Sequence, residues 1–265
     1  MPETTELVIT RSEGNVCRIT LNHPPLNILS LELRRQLLQA VEQIENSPSV
    51  RFVVVQAAGD KAFSVGSDLT EFPHDEAGGR EKIEFERSLL DKIERLNAIT
   101  FAALHGHVLG GGAELMLACD LRIAADDVRI GFPEVKVGGF PAAGGTWRLV
   151  RDVGPTRAKE MLFLGKTISG QEAAAIGLIN ACVPNQQLMK TVERLLGELS
   201  QLPQSSLSAM KRAIMHAAMP SGMAPASSEE IDDYGKLFRG HDIFEGIRAF
   251  LEKRRPHFNK DLESQ

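Results

Sequence analysis

Two glutamates and two glycine-bearing loops are the residues of this chain best suited to chemistry. The run from Gly106 to Leu115 carries Gly110, Gly111 and Gly112 in succession, with Glu114 two positions later. Three glycines leave the main chain bare, and the first N–H groups of a helix have no intrahelical partner, so a ligand atom could approach donors that already point outward. That describes an anion site or a hole for developing negative charge; it equally describes glycines that let a helix pack closely. A second loop, 63–69, sets Gly66 between Val65 and Ser67 after a strand-like run. Glu114 falls in a first helical turn, where the helix dipole favours a carboxylate, and an ordinary solvated helix start would look the same. Glu134 follows Phe132 and Pro133 and precedes Val135. Such neighbours would bury its carboxyl, raise its pKa and suit it to general acid work, the competing reading being an ion pair with Lys136 or an arginine.

Other chemistries fail on spacing. A dinucleotide fingerprint starting at Gly110 needs a glycine at position 115, which is Leu115, and the glycines are not followed by the lysine and hydroxyl residue of a P-loop. Ser67 precedes Asp68 and Leu69, so it is not a hydrolase elbow. His105 and His107 read as two imidazoles on one side of a strand with no third ligand at suitable spacing, and no metal is expected. Cys17, Cys119 and Cys182 are an odd set without C-x-x-C spacing, which fits a reducing compartment. The formal net charge of -5 gives no basic field for a phosphate backbone, so no nucleic acid is expected. The N-terminus has no basic leader, and no run of about 18 apolar residues occurs. The expectation is a cytoplasmic protein with no membrane partner.

The elements that must position these groups alternate. Residues 7–10 and 16–21 read as a hairpin, and Ser30 as the cap of a helix with Leu33, Leu37, Leu38, Val41 and Ile44 on one face. Strand-like runs follow at 52–56, 100–104, 121–124 and 128–130, separated by helical text at 81–96 and 113–119. The stretch 71–86, with Gly78 and Gly79, reads as a mobile lid or a solvated loop, and Met116, Met161 and Met210 read as core. From about Pro155 the text is helical, at 156–164, 170–176, 188–202, 207–217 and 244–253, with a loop over 220–225. Ile243, Phe244, Ile247, Phe250 and Leu251 form an apolar stripe. The fold class is α/β, organised as a core over 1–200 and a helical oligomerisation region over 201–265.

Taken in order, these pieces resemble the enoyl-CoA hydratase/isomerase, or crotonase, superfamily over nearly the whole chain. The resemblance rests on 62–69, 106–115, 119–124, Phe132-Pro133-Glu134 and 141–146. It implies a spiral of ββα units followed by a helical trimerisation region, assembled as a homotrimer or a dimer of trimers. It implies that the thioester carbonyl of an acyl-CoA sits between the backbone N–H groups of Ser67 and Gly111, an oxyanion hole for an enolate. Glu114 and Glu134 match the two glutamates of the hydratases, with Glu114 taking the proton of a water that attacks Cβ and Glu134 supplying the proton to Cα. Main-chain groups near Val65 and Ser67 would contact the adenine end of CoA, Lys253 its phosphates, and Phe140 and Trp147 the acyl pocket. No metal or redox cofactor is implied, since CoA belongs to the substrate. On this reading only the N–H of Ser67 matters and its hydroxyl has no task, although the family often has alanine there. The alternatives are an enoyl-CoA isomerase, a hydratase of cyclic dienoyl-CoA from aromatic degradation, and an inactive acyl-CoA-binding member. A two-carboxylate glycosidase would leave the paired N–H loops without a task.

Overall fold

The computed structural model describes residues 6–218, 234–235 and 237–257; the loop expected over 220–225 lies outside them. The hairpin forms as β1 (Val8–Glu13) and β2 (Val16–Leu21), turning at Gly14 with φ +61°. Ser30 accepts from the Leu33 N–H and opens α1 (Leu31–Glu45), whose apolar face packs into the core. The chain then repeats one motif three times, a strand in a large sheet, a short strand in a small sheet, and a helix. These units are β3 (Phe52–Ala57), β4 (Ala62–Ser64) and α2 (Glu76–Arg95), then β5 (Ile99–Leu104), β6 (His107–Leu109) and α3 (Gly111–Leu117), then β7 (Leu121–Ala125), β8 (Arg129–Gly131) and α4 (Gly145–Leu164). The expected ββα organisation is therefore present.

After these units come β9 (Thr167–Ser169), α5 (Gly170–Ala175), β10 (Ala181–Val183), α6 (Leu188–Ser200), α7 (Gln204–Ala218) and α8 (Asp242–Leu251). The large sheet has the order β1-β2-β3-β5-β7-β10 and the small one β4-β6-β8-β9. All pairs are parallel except β1 with β2 and β8 with β9. The large sheet is covered on both faces, which is why β3 has four buried apolar residues in a row, Phe52 to Val55. Val53 and Val55 face the main core, whereas Phe52 and Val54 face a second cluster with Val192 and Leu196 of α6.

Several expectations change. The segment expected as lid or loop becomes the start of α2, where the Asp75 side chain accepts from the Gly78 N–H. A Cβ on Gly79 would come within 2.6 Å of the Phe238 ring, so the glycine marks close packing rather than a loop. Met116 and Met161 are buried, but Met210 is 52% exposed because that face of α7 has nothing against it among the described residues. His105 lies in the link after β5 and His107 begins β6, so the two do not share a strand face. Helix α4 begins at Gly145, ahead of the expected 156, and kinks at Gly154 (φ +76°) before Pro155. The stripe on α8 divides: Ile243 and Ile247 are buried in this chain's own core, and Phe250 and Leu251 stay exposed.

Helix α3 lies directly on β4. A Cβ on Gly112 would stand 2.5 Å from the Ser64 carbonyl oxygen and 2.7 Å from its Cβ, and backbone cannot swing aside as a side chain can. Gly112→Ala should therefore cost about 2 kcal/mol of stability, read from urea unfolding, through overpacking at this contact.

Candidate active site

Three neighbouring parallel strands of the small sheet end on one side, and each delivers one part of the site. Strand β4 leads to Gly66 and Ser67, β6 to Gly110, Gly111 and Glu114, and β8 to Pro133 and Glu134. Parallel strands share a direction, so loops far apart in sequence must meet beyond their carboxyl ends. The first two loops touch backbone to backbone. Gly66 has φ +94°, and a Cβ there would lie 2.9 Å from the Gly111 nitrogen and 3.0 Å from the Leu109 carbonyl oxygen. The third is tied on by the Gly110 N–H, which donates to the Gly131 carbonyl at 3.0 Å.

Neither the Ser67 N–H nor the Gly111 N–H has an acceptor among the described residues. Gly111 opens α3, where the helix leaves its first donors unpaired and its dipole favours negative charge. Both residues line a cavity of about 660 Å³, together with Glu114 and Glu134. Its walls are mainly apolar, including Leu26, Phe72, Ile83, Phe140 and Tyr234.

The two glutamates differ in their surroundings. Glu114 is 4% exposed and its Oε1 accepts from the Gly145 N–H at 3.0 Å, so the solvated helix-start reading does not hold. That bond supports an ionised carboxylate. Glu134 lies at the cavity wall, its Oε2 shut off from water with no hydrogen-bond partner among the described residues, where the expected ion pair with Lys136 is not formed. Burial, followed by the charge of Glu114, pushes its pKa up to about 8. Two carboxyl groups in such a low-dielectric cavity share one negative charge near neutrality, and the geometry favours Glu134 as the holder of the proton. The arrangement offers a neutral acid, a carboxylate base and two N–H donors lining one cavity.

Of the other sequence candidates, Val65 and Phe140 line the cavity. Trp147 does not: its ring lies against the guanidinium groups of Arg148 and Arg151, at 4.7 and 5.0 Å, both on its own helix. Lys253 is exposed with φ 56° and is also outside the lining; its neighbour Arg254 lines the cavity while pairing with Glu245 at 2.6 Å. Cys17 and Cys119 are buried and Cys182 half-buried, all as free thiols, and among the described residues no group of three His, Cys, Asp or Glu is placed to hold a metal ion.

Several polar residues at the site were not anticipated. Arg34 and Glu86 are buried beside it, Glu86 pairs with Lys82, and Tyr234 on the cavity wall has a phenol held protonated by burial and by the charges of Glu86, Glu114 and Glu134. A signal existed for two of them. Arg34 stands three positions before Leu37 and Glu86 three after Ile83, so each charge interrupts the apolar stripe of its helix.

Comparison with known proteins fits this geometry. Residues 11–261 match the family model described as enoyl-CoA hydratase/isomerase. The chain is 33% identical to crotonyl-CoA hydratase of Syntrophomonas wolfei subsp. wolfei, covering 96% of this chain and 98% of that one. It is likewise 33% identical to the short-chain-enoyl-CoA hydratase of Clostridium acetobutylicum, covering 94% and 95% of the two chains. The solved structure of an enoyl-CoA hydratase from Mycobacterium avium subsp. paratuberculosis superposes with a TM-score of 0.86 at 27% identity, covering 96% of this chain and 99% of that one. With both glutamates and both donor loops gathered at the ends of three parallel strands, the chain belongs to the enoyl-CoA hydratase/isomerase family.

Proposed function

We propose that this cavity adds water across the 2,3 double bond of an enoyl-CoA thioester. The observation that carries the reading is Glu134, its buried Oε2 without a hydrogen-bond partner among the described residues, in the same cavity as a hydrogen-bonded Glu114 and two N–H groups without acceptors. The thioester oxygen lies between the N–H groups of Ser67 and Gly111, which are stationary before the reaction begins and meet the negative charge as the enolate forms. Preorganised donors of this kind are worth about 3 kcal/mol each in the transition state. Glu114 and Glu134 hold one water. Glu114, carrying the charge, takes its proton as oxygen attacks Cβ; Glu134 gives its own proton to Cα. The proton gained by Glu114 returns to Glu134 through solvent or the bound product, so the enzyme ends as it began. CoA is part of the substrate, and the reaction as written calls on no metal or redox cofactor.

Main-chain groups at Val65 and Ser67 serve the adenine end of CoA, with Lys253, next to the cavity-lining Arg254, the residue proposed for its phosphates. Phe140 bounds the acyl pocket. The protein works in the cytoplasm, consistent with its free thiols, and no helix among the described residues is long and apolar enough to cross a membrane. The region 201–265 is proposed to join three chains, as a homotrimer or a dimer of trimers. Ile214 and Phe250, 66% and 62% exposed, supply apolar surface for that contact. Light scattering at micromolar concentration should give three or six times the chain mass, and a monomer would contradict the assembly.

Loss of conjugated absorbance from enoyl-CoA thioesters tests the reaction directly. Glu134→Gln should slow hydration by about 10²- to 10⁴-fold and stop exchange of a Cα proton with heavy water in a bound saturated acyl-CoA. Glu114→Gln should slow hydration comparably while leaving measurable Cα exchange; hydration at the wild-type rate in Glu134→Gln would refute the mechanism.

The pH dependence follows from the raised pKa of Glu134. Its acid form is lost as pH rises through about 8, so hydration should fall on that limb. The folded state binds a proton that the unfolded carboxyl has already released between about pH 4.5 and 8, so this group's contribution to stability declines across that window. Glu134→Gln should therefore melt higher than wild type at about pH 9, with the gap closing near pH 5.

A further inference from the structure

Arg34 is 5% exposed, on the otherwise apolar face of α1. Its guanidinium forks. Nη1 donates to the Leu29 carbonyl, while Nη2 donates to Ser67 Oγ at 2.8 Å and lies 3.3 Å from Glu86 Oε1. Glu86 also holds the ammonium of Lys82. The fork reaches both donor loops: a Cβ built on Gly111 would stand 3.1 Å from Arg34 Nη2 and 3.6 Å from Ser67 Oγ. The Leu29 N–H in turn donates to the Gly66 carbonyl at 2.8 Å. Arg34 thus braces the two segments that meet at the Leu29–Ser67 bridge.

Stability does not explain this arrangement. Desolvating a buried ion pair costs about what its attraction returns, and apolar side chains of similar volume generally serve as well. Leu33, Leu37, Ile83 and Leu89, on the same two helix faces, are of that kind. Glu86 makes the buried cation tolerable. Burial pushes its pKa up, but Arg34 and Lys82 together outweigh this and hold the carboxyl below its usual range. What Arg34 supplies beyond charge balance is direction, because a planar guanidinium fixes two acceptors at once. The peptide that carries the Ser67 N–H follows a glycine in the left-handed region, where the chain has most freedom to pivot. The tie to Ser67 Oγ restrains that pivot from the far side.

We propose that Arg34 is the positioning residue of the oxyanion hole, clamping the Ser67 hydroxyl and the Leu29 carbonyl so that the Ser67 N–H stays aimed where the Gly111 N–H is aimed. The serine hydroxyl, idle on the sequence reading, is the handle of this clamp. The inference rests on the reading of Ser67 and Gly111 as the oxyanion donors.

The test uses the full chain as wild type, Arg34→Met, Ser67→Ala and the double variant. Arg34→Met leaves Glu86 paired with Lys82, so no charge is orphaned, and Ser67→Ala cuts only one bond should Arg34→Met fail to fold. Each is measured for hydration kinetics and for the infrared carbonyl stretch of bound butanoyl-CoA carrying ¹³C at the thioester. Either single variant should lose most of the wild-type shift of that stretch and lower kcat about 10- to 100-fold with KM within about threefold, as for a donor displaced by roughly 1 Å. The double variant should be no worse than the poorer single one, since both cut the same tie. A wild-type stretch and kcat in Ser67→Ala, or losses that multiply in the double variant, would overturn the clamp. Wild-type protein that shifts the bound carbonyl but hydrates no enoyl-CoA would sink the proposed reaction instead, and leave the clamp to be judged by the infrared series.

Discussion

The contact between Gly66 and the Gly111 amide sets the spacing on which the rest of the site depends. It exists because β4 and β6 are adjacent, parallel and end together, and because neither residue has a Cβ to hold the loops apart. Two N–H groups from segments more than forty residues apart are thereby brought to one place by the backbone, and the Arg34 tie to Ser67 Oγ holds one of them from the side. The proposed hole has its donors on the loops that follow two strands of one sheet, and it is stiffened by the strand ladder at its base and by the Arg34 tie at Ser67. That stiffness is what lets such donors act in catalysis without reorganising as charge develops.

Around this backbone frame the charged residues form a balanced set. Arg34 and Lys82 are positive, Glu86 and Glu114 negative, and Glu134 neutral when it keeps its proton. In a cavity with apolar walls each charge needs a near partner, and an unpaired one would be expelled or neutralised. Glu134 has a buried Oε2 with no hydrogen-bond partner among the described residues, so it takes the neutralisation. Its acidity is thus a property of the whole set: Glu114 contributes through repulsion, and burial contributes more.

The C-terminal part of the chain has two kinds of surface. Tyr234, Ile243, Gly246 and Arg254 help to wall the cavity, and Gly246 packs so closely on the backbone of Val137 that a Cβ would come within 2.5 Å of it. Helix α8 therefore seats on the turn that carries Glu134. The same helix leaves Phe250 and Leu251 exposed at the cavity's rim, which both also line. Burial of the apolar stripe and placement of Glu134 are consequently linked, because the helix that covers the Glu134 turn also presents the leftover apolar surface.

Local sequence was sufficient for much of this molecule. The β-branched runs at 16–21 and 52–55, the Ser30 cap, the glycine loops and the apolar setting of Glu134 are short-range signals, governed by backbone freedom, capping and neighbouring side chains. They were enough to mark the residues that the fold assembles. Sequence could not decide between a solvated and a buried Glu114, because the deciding partner is the Gly145 amide thirty-one residues away. It placed Trp147 in the pocket, where only the direction of α4 and its two flanking arginines turn the ring elsewhere. Gly78 and Gly79 read as a loop because their helical role depends on what packs beside them, Pro73 and the capping Asp75 at Gly78 and the Phe238 ring at Gly79. Arg34 and Glu86 were visible as charges on apolar stripes, but the reason for tolerating them is their pairing across two helices and with Ser67. Propensity acts over a few residues, whereas desolvation and ion pairing depend on whatever the fold brings within a few ångströms, and that was decided by tertiary structure alone.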